Sequence, residues 1–148
     1  MTFILDTNVV SELRKVPLGK AYAPVARWAD SVDISDLYVS VMTVHELEVG
    51  VLRLERRDPL QGAVLRKWFE RHVLPAFDGR VLPVDGAVAL RGAQLHVPTV
   101  QPLSDGLIAA TALVHGMTVV TRDTADFLPC GVNVLNPWQG ESPVPVRP

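Results

Sequence analysis

Short apolar, β-branched runs alternate along this chain with longer segments whose apolar residues recur every three or four positions. The short runs at 2–5, 37–40, 81–84, 118–121 and 132–135 predict five strands, the third shortened by Pro83. Helical spacing predicts helices from residue 7 towards Pro17, from Pro24, over 43–57, over 59–74 and from Asp85 through Leu95. The first carries Val9, Val10 and Leu13. The 43–57 segment carries Val44, Leu47, Val51 and Leu54, and 59–74 places Leu60, Val64, Leu65, Trp68 and Phe69 inward before Pro75 ends it. Asp58-Pro59 reads as an N-cap followed by an N1 proline, and Asp85 as a further N-cap.

The most informative stretch is 104–127. Ser104 reads as an N-cap, and the apolar run from Leu107 to Val114 reads as a buried helix. Gly116 occupies the left-handed C-cap position and Met117 closes the turn. A β-branched strand follows, then a brief helical turn at 124–127. Strands alternating with helices predict an α/β fold, a mostly parallel sheet with helices on both faces. The loop at 97–103, with two prolines, delivers the chain to Asp105.

Composition narrows the class. A chain of 148 residues that is 48% apolar and 20% charged predicts one folded domain over 1–140, with a mobile tail at 141–148 that holds three prolines. Net charge is −2, so any nucleic-acid binding has to use a local patch or a metal. The single Cys130 excludes an internal disulfide and a cysteine zinc cluster. Asp6 interrupts the N-terminal apolar run, and no window reaches the ~20 apolar residues of a membrane span. The expectation is a soluble, cytoplasmic protein.

Five acids stand at strand-to-helix junctions or in first helical turns: Asp6, Glu46, Asp105, Asp123 and Asp126. Each has an ordinary structural role. Asp6 can cap the first helix, Thr43 with Glu46 matches a capping box, Asp105 suits a helix dipole, and Asp123 with Asp126 can frame a capped turn. Together they suggest more. Parallel strands put their carboxyl ends on one edge, so Asp6, Asp105 and Asp123 converge if their strands are neighbours. Converging carboxylates repel unless a cation lies among them, and an all-oxygen donor set selects Mg²⁺ or Mn²⁺ over zinc.

Other candidates carry less. His45, His72, His96 and His115 fall in predicted helices without metal-binding spacing, and Trp28, Trp68 and Trp138 fit core or interface positions. Cys130 reads as an ordinary thiol. Arg53, Arg56, Arg57, Arg66, Lys67 and Arg71 read as a solvated helix face before a phosphate site. Arg122, between Thr121 and Asp123, stands at the candidate edge, able to meet a substrate phosphate or pair with an acid. The Asp6-Thr7-Asn8 step is a weak match to a haloacid-dehalogenase phosphatase loop, which needs an Asp where Asn8 stands.

Three stretches in register, LDTNVVSELRK, SVMTVHELEVGV and SDGLIAATALVHGMTVVTRDTADF with a later NPW, resemble the PIN-domain ribonuclease toxins, in particular the FitB-like members of the VapC group. The resemblance spans nearly the whole chain. It implies a three-layer α/β/α sandwich around a mainly parallel five-stranded sheet. It also implies a metal-dependent endoribonuclease toxin of a type II toxin–antitoxin system. Asp6, Glu46, Asp105 and Asp123 match the family's acidic metal positions, which would hold one or two Mg²⁺ or Mn²⁺ ions and activate water against an RNA phosphodiester. Asp126 matches a secondary position, and Thr7, Asn8 and Thr121 match polar positions that orient the acids or the substrate. The family often has Asn where Asp123 stands. Relatives form homodimers and pair with a small VapB/FitA-like antitoxin, through which alone they contact operator DNA.

Two alternatives come from other classes. One is a catalytically weak PIN-domain regulatory protein acting mainly in an antitoxin–DNA complex; the four intact acids weigh against it. The other is a different Mg²⁺ hydrolase, a phosphatase or a DNA flap nuclease. The missing second Asp disfavours the phosphatase, and the chain is short for a nuclease with its own DNA-gripping elements.

Overall fold

A computed structural model of the chain describes residues 1–139; the tail expected at 141–148 lies outside the described residues. Five parallel strands form one sheet in the order β3-β2-β1-β4-β5: β1 (Phe3–Leu5), β2 (Leu37–Ser40), β3 (Val81–Leu82), β4 (Thr118–Val120) and β5 (Val134–Leu135). The expected fold class is therefore observed, with every strand pair parallel. The outer strands β3 and β5 are shorter than their apolar runs, because Pro83 and the turn before Asn133 limit the ladder.

Period-two alternation divides the strands between two cores. Phe3, Leu5, Leu37, Val39, Val120 and Leu135 face one side with Val9, Val10, Leu47, Val51, Phe69, Val73 and Phe77. Ile4, Val119 and Val134 face the other with Ile108, Ala109, Ala112 and Phe127. A one-residue slip of β1 would exchange Ile4 with Phe3 and Leu5, so the register is strongly specified. Each fully buried aliphatic side chain contributes about 2 kcal/mol to that choice.

The helices are α1 (Thr7–Leu13), α2 (Ala23–Ser31), α3 (Val41–Arg57), α4 (Pro59–Trp68), α5 (Leu74–Ala76), α6 (Gly86–Leu95), α7 (Leu103–His115) and α8 (Thr124–Phe127). Asp58 and Asp85 cap α4 and α6 as expected, accepting from the Gln61 and Val88 amides. Gly116 closes α7 at φ 67°, a left-handed conformation that Gly adopts without a Cβ clash.

Three helical expectations need correction. α3 begins two residues early, capped by Ser40, whose hydroxyl accepts from the Met42 amide, so Thr43 and Glu46 form no capping box. α7 begins at Leu103 after Pro102, and Ser104 is not its cap. The 59–74 segment does not stop at Pro75. A π-helical turn over Phe69–Val73 rotates Phe69 and Val73 into the core, and Pro75 falls in the first turn of α5, where no amide donor is needed. On α4 itself the face turned to α3 and the core carries Gly62, Leu65 and Trp68, which leaves Leu60 (81% exposed) and Val64 (51% exposed) on the surface rather than inward.

α3 and α4 meet at Gly62, where a Cβ would stand 2.4 Å from the Glu55 Cα. Arg66 of α4 is held there by Glu48 (2.6 Å), Glu55 (2.8 Å) and Glu70 (3.6 Å). That removes it from any phosphate-binding face and supports the structural reading of the basic cluster. No helix among the described residues is long and apolar enough to cross a membrane.

Candidate active site at the carboxyl edge of the sheet

The strand order reverses direction between β1 and β4, and ligands of open parallel sheets bind outside the carboxyl ends at such a point. β1 delivers Asp6 there. The Asp6 amide donates to the Val120 carbonyl at 2.9 Å, which carries the ladder one residue past the strand. Its carboxylate then caps α1: Oδ1 accepts from the Thr7 amide at 2.8 Å. Oδ2 accepts from the Thr121 hydroxyl at 2.8 Å and from Asn8 Nδ2 at 3.4 Å. The structural role expected of Asp6 therefore coexists with a place at the site.

Thr121, fully buried just after β4, accepts from the Asp123 amide at 2.9 Å while donating to Asp6. Asn8 spans the same two loops. Its Nδ2 donates to Asp123 at 3.1 Å, and its Oδ1 accepts from the Arg122 amide at 3.3 Å. Asp123 precedes α8 but makes no side-chain cap there, because its carboxylate is turned to Asn8.

Glu46 comes from the second turn of α3, where Oε1 accepts from the Ser104 hydroxyl of α7. Asp105 follows in the first turn of α7. Ser104, expected as a cap, is instead a partner of the site; its place in the sequence next to Asp105 was the one available signal. Thr7 donates through its hydroxyl to buried Thr43 at 3.3 Å, tying α1 to α3 beneath the acids.

The acids act on one another. Burial pushes the Asp6 carboxyl up, opposed by the bonds from Thr121 and Thr7 and reinforced by the charges of Glu46 and Asp123. The Asp105 carboxyl is pushed up to about 6, by burial first and then by Asp6, Asp126, Glu46 and Asp123. The fold thus brings all five sequence-predicted acids into one field, Asp126 reaching it through Asp105.

Among the described residues no three acidic, His or Cys side chains close into a preformed metal cage. The donors are nevertheless oxygens under mutual repulsion, a set that suits a hard cation, and binding one would relieve that repulsion. Of the residues expected outside the site, His96 accepts from the Gln101 amide at 3.1 Å, and Cys130 is a buried thiol pushed up by burial. Arg122 is exposed, its guanidinium 5.3 Å from the Trp138 ring centroid.

The fold and this edge define an α/β domain with carboxylates gathered at a sheet switch point. The chain belongs to the PIN domain family, whose model matches residues 3–128. It is 43% identical over 145 residues to Toxin FitB of Neisseria gonorrhoeae (strain ATCC 700825 / FA 1090), covering 91% of this chain and 97% of that protein. It is 40% identical over 144 residues to the VapC ribonuclease Y4jK of Sinorhizobium fredii (strain NBRC 101917 / NGR234), covering 92% and 97%. The solved structure of FitAB bound to an IR36 DNA fragment matches with TM-score 0.84 at 40% identity, over 95% of this chain and 99% of that one.

Proposed function

We propose that the protein is an endoribonuclease toxin of a toxin–antitoxin pair, dependent on Mg²⁺ or Mn²⁺ and acting in the cytoplasm. The observation that carries this is the Asp6 carboxylate, buried at the switch point and oriented by Thr7, Asn8 and Thr121 within the field of Glu46, Asp105 and Asp123. The names of the VapC ribonuclease and FitB relatives support the activity and the toxin class.

Asp6, Glu46, Asp105 and Asp123 would hold the cation, with Asp126 beside Asp105 as a secondary group. When bound, the ion supplies activation of water and neutralisation of charge on the phosphodiester. The chain's own residues do the positioning. Thr121 fixes Asp6 and the Asp123 main chain together, and Asn8 keeps Asp6 and Asp123 from drifting apart. Ser104 holds Glu46 towards α7. Arg122, exposed beside Asp123 with its main chain on Asn8, is the contact for RNA phosphate.

The FitAB complex bound to an IR36 DNA fragment supports a partner assignment as well: an antitoxin of the VapB/FitA kind, with DNA reached through that partner. A homodimer as the toxin's own assembly belongs to the same reading and rests on the family resemblance. The test is cleavage of total RNA by the purified chain with Mg²⁺ or Mn²⁺, beside EDTA and Asp105→Asn controls. Fragments that disappear in both controls are expected. Cleavage that persists in Asp105→Asn removes the site assignment.

A further inference from the structure

Beside Asp123 a cavity of about 660 Å³ opens between the loop after α1 and the segment after β5. We propose that this cavity, lined by Lys20, Tyr22, Arg122, Asn136, Trp138 and Gln139, takes one nucleotide of single-stranded RNA flanking the scissile phosphate; the inference rests on the ribonuclease reading above.

Charge is the first argument. Lys15 and Glu12 also line the cavity, and they are committed to each other at 3.0 Å. The second Glu12 oxygen accepts from the Tyr22 amide at 2.9 Å. That amide bond is the main reason the Glu12 carboxyl is held below its usual range, with Lys15 and Arg122 adding to the effect. Glu12 is therefore scaffolding, and Lys20 and Arg122 supply positive charge with no ion pair among the described residues. In a chain of net charge −2, this is the local patch that RNA binding requires.

Shape is the second. Trp138 packs against the larger core, so its ring is a fixed platform, and the Arg122 guanidinium lies 5.3 Å from its centroid. An aromatic ring with a stacked guanidinium is a surface on which an unpaired base stacks. Tyr22, 55% exposed, offers a second ring. Asn136 Oδ1 already accepts from the Trp138 amide at 2.9 Å, which leaves the Asn136 side-chain NH₂ and the Gln139 side-chain amide to meet base edges.

Position is the third. The Arg122 main chain donates to Asn8, which holds Asp6 and Asp123, while its side chain forms a cavity wall. A nucleotide in the cavity thus lies next to the acids along the strand.

The test measures binding of a short, fluorescein-labelled, random-sequence single-stranded RNA to the full chain in EDTA, across a salt series. Lys20→Ala is expected to reduce the slope of log K against log salt by about 0.7, the loss of one phosphate contact. Tyr22→Ala is expected to weaken binding about fivefold or more. Arg57→Ala, an exposed cation away from the cavity, serves as the charge control and should leave both quantities unchanged. Melting temperatures equal to wild type confirm that each variant is folded. Wild-type binding and slope in both cavity variants would overturn the subsite. If RNA cleavage is intact in that case, the subsite falls alone; absence of cleavage by the wild-type chain instead overturns the ribonuclease reading.

Discussion

Asp105→Asn should make the metal-free protein more stable while abolishing cleavage. Asp105 is half-buried, and its carboxyl rises from 3.8 to about 6 because of that burial and the charges of Asp6, Asp126, Glu46 and Asp123. The rise corresponds to about 3 kcal/mol of preference for the neutral acid. Solvent screening of a half-buried group reduces this to about 1 kcal/mol. The folded state binds more protons than the unfolded chain between pH 3.8 and about 6, so this contribution favours folding at low pH and is lost as pH rises through 6. At pH 7.5 in EDTA the wild-type chain carries the full repulsion, and the amide does not. Differential scanning calorimetry should place the variant about 2–4 °C above wild type under those conditions. The gap should shrink towards pH 4, where Asp105 is neutral. Divalent cation should reverse the order, since a ligand at 100 times its Kd stabilises the intact site by about 2.7 kcal/mol. A variant that melts below wild type in EDTA, or a gap that does not change with pH, would refute the argument that these carboxylates repel.

Three further outcomes test the supports around the site. Thr121→Val keeps the shape but removes the donor to Asp6 and the acceptor of the Asp123 amide; it should cost about 2 kcal/mol in urea denaturation and lower kcat more than it raises KM. Ser40→Ala should cost about 1 kcal/mol, read from the urea midpoint, because Ser40 rather than Thr43 caps α3. Gly62→Ala should cost about 3 kcal/mol and lower the melting temperature, since its methyl group would meet the Glu55 main chain; an unchanged melting temperature would show that α3 and α4 separate without strain.

The chain's own pattern determined a good deal. The apolar periods located all five strands, because strands buried on both faces must be short, β-branched and continuous. Side chains that act on their own backbone were equally legible: the caps at Asp6, Asp58 and Asp85, and the left-handed turn at Gly116, depend on neighbours only a few residues away. The acids could be listed from their places at strand ends and first turns. Tertiary structure decided the rest. The π-helical turn that buries Phe69 and Val73 is set by packing on the sheet, and the packing of α4 on α3 at Gly62 left Leu60 and Val64 exposed despite helical spacing. Ser40 rather than Thr43 is the cap because α3 starts directly at the end of β2, which places Thr43 inside the helix against Thr7 of α1, and Ser104 meets Glu46 because α7 is packed beside α3. Which hydroxyl holds which carboxylate depends on partners up to 115 residues apart, as Thr121 and Asp6 are. Local sequence cannot encode such a choice, because strand order and register bring the two loops together only after the sheet has formed.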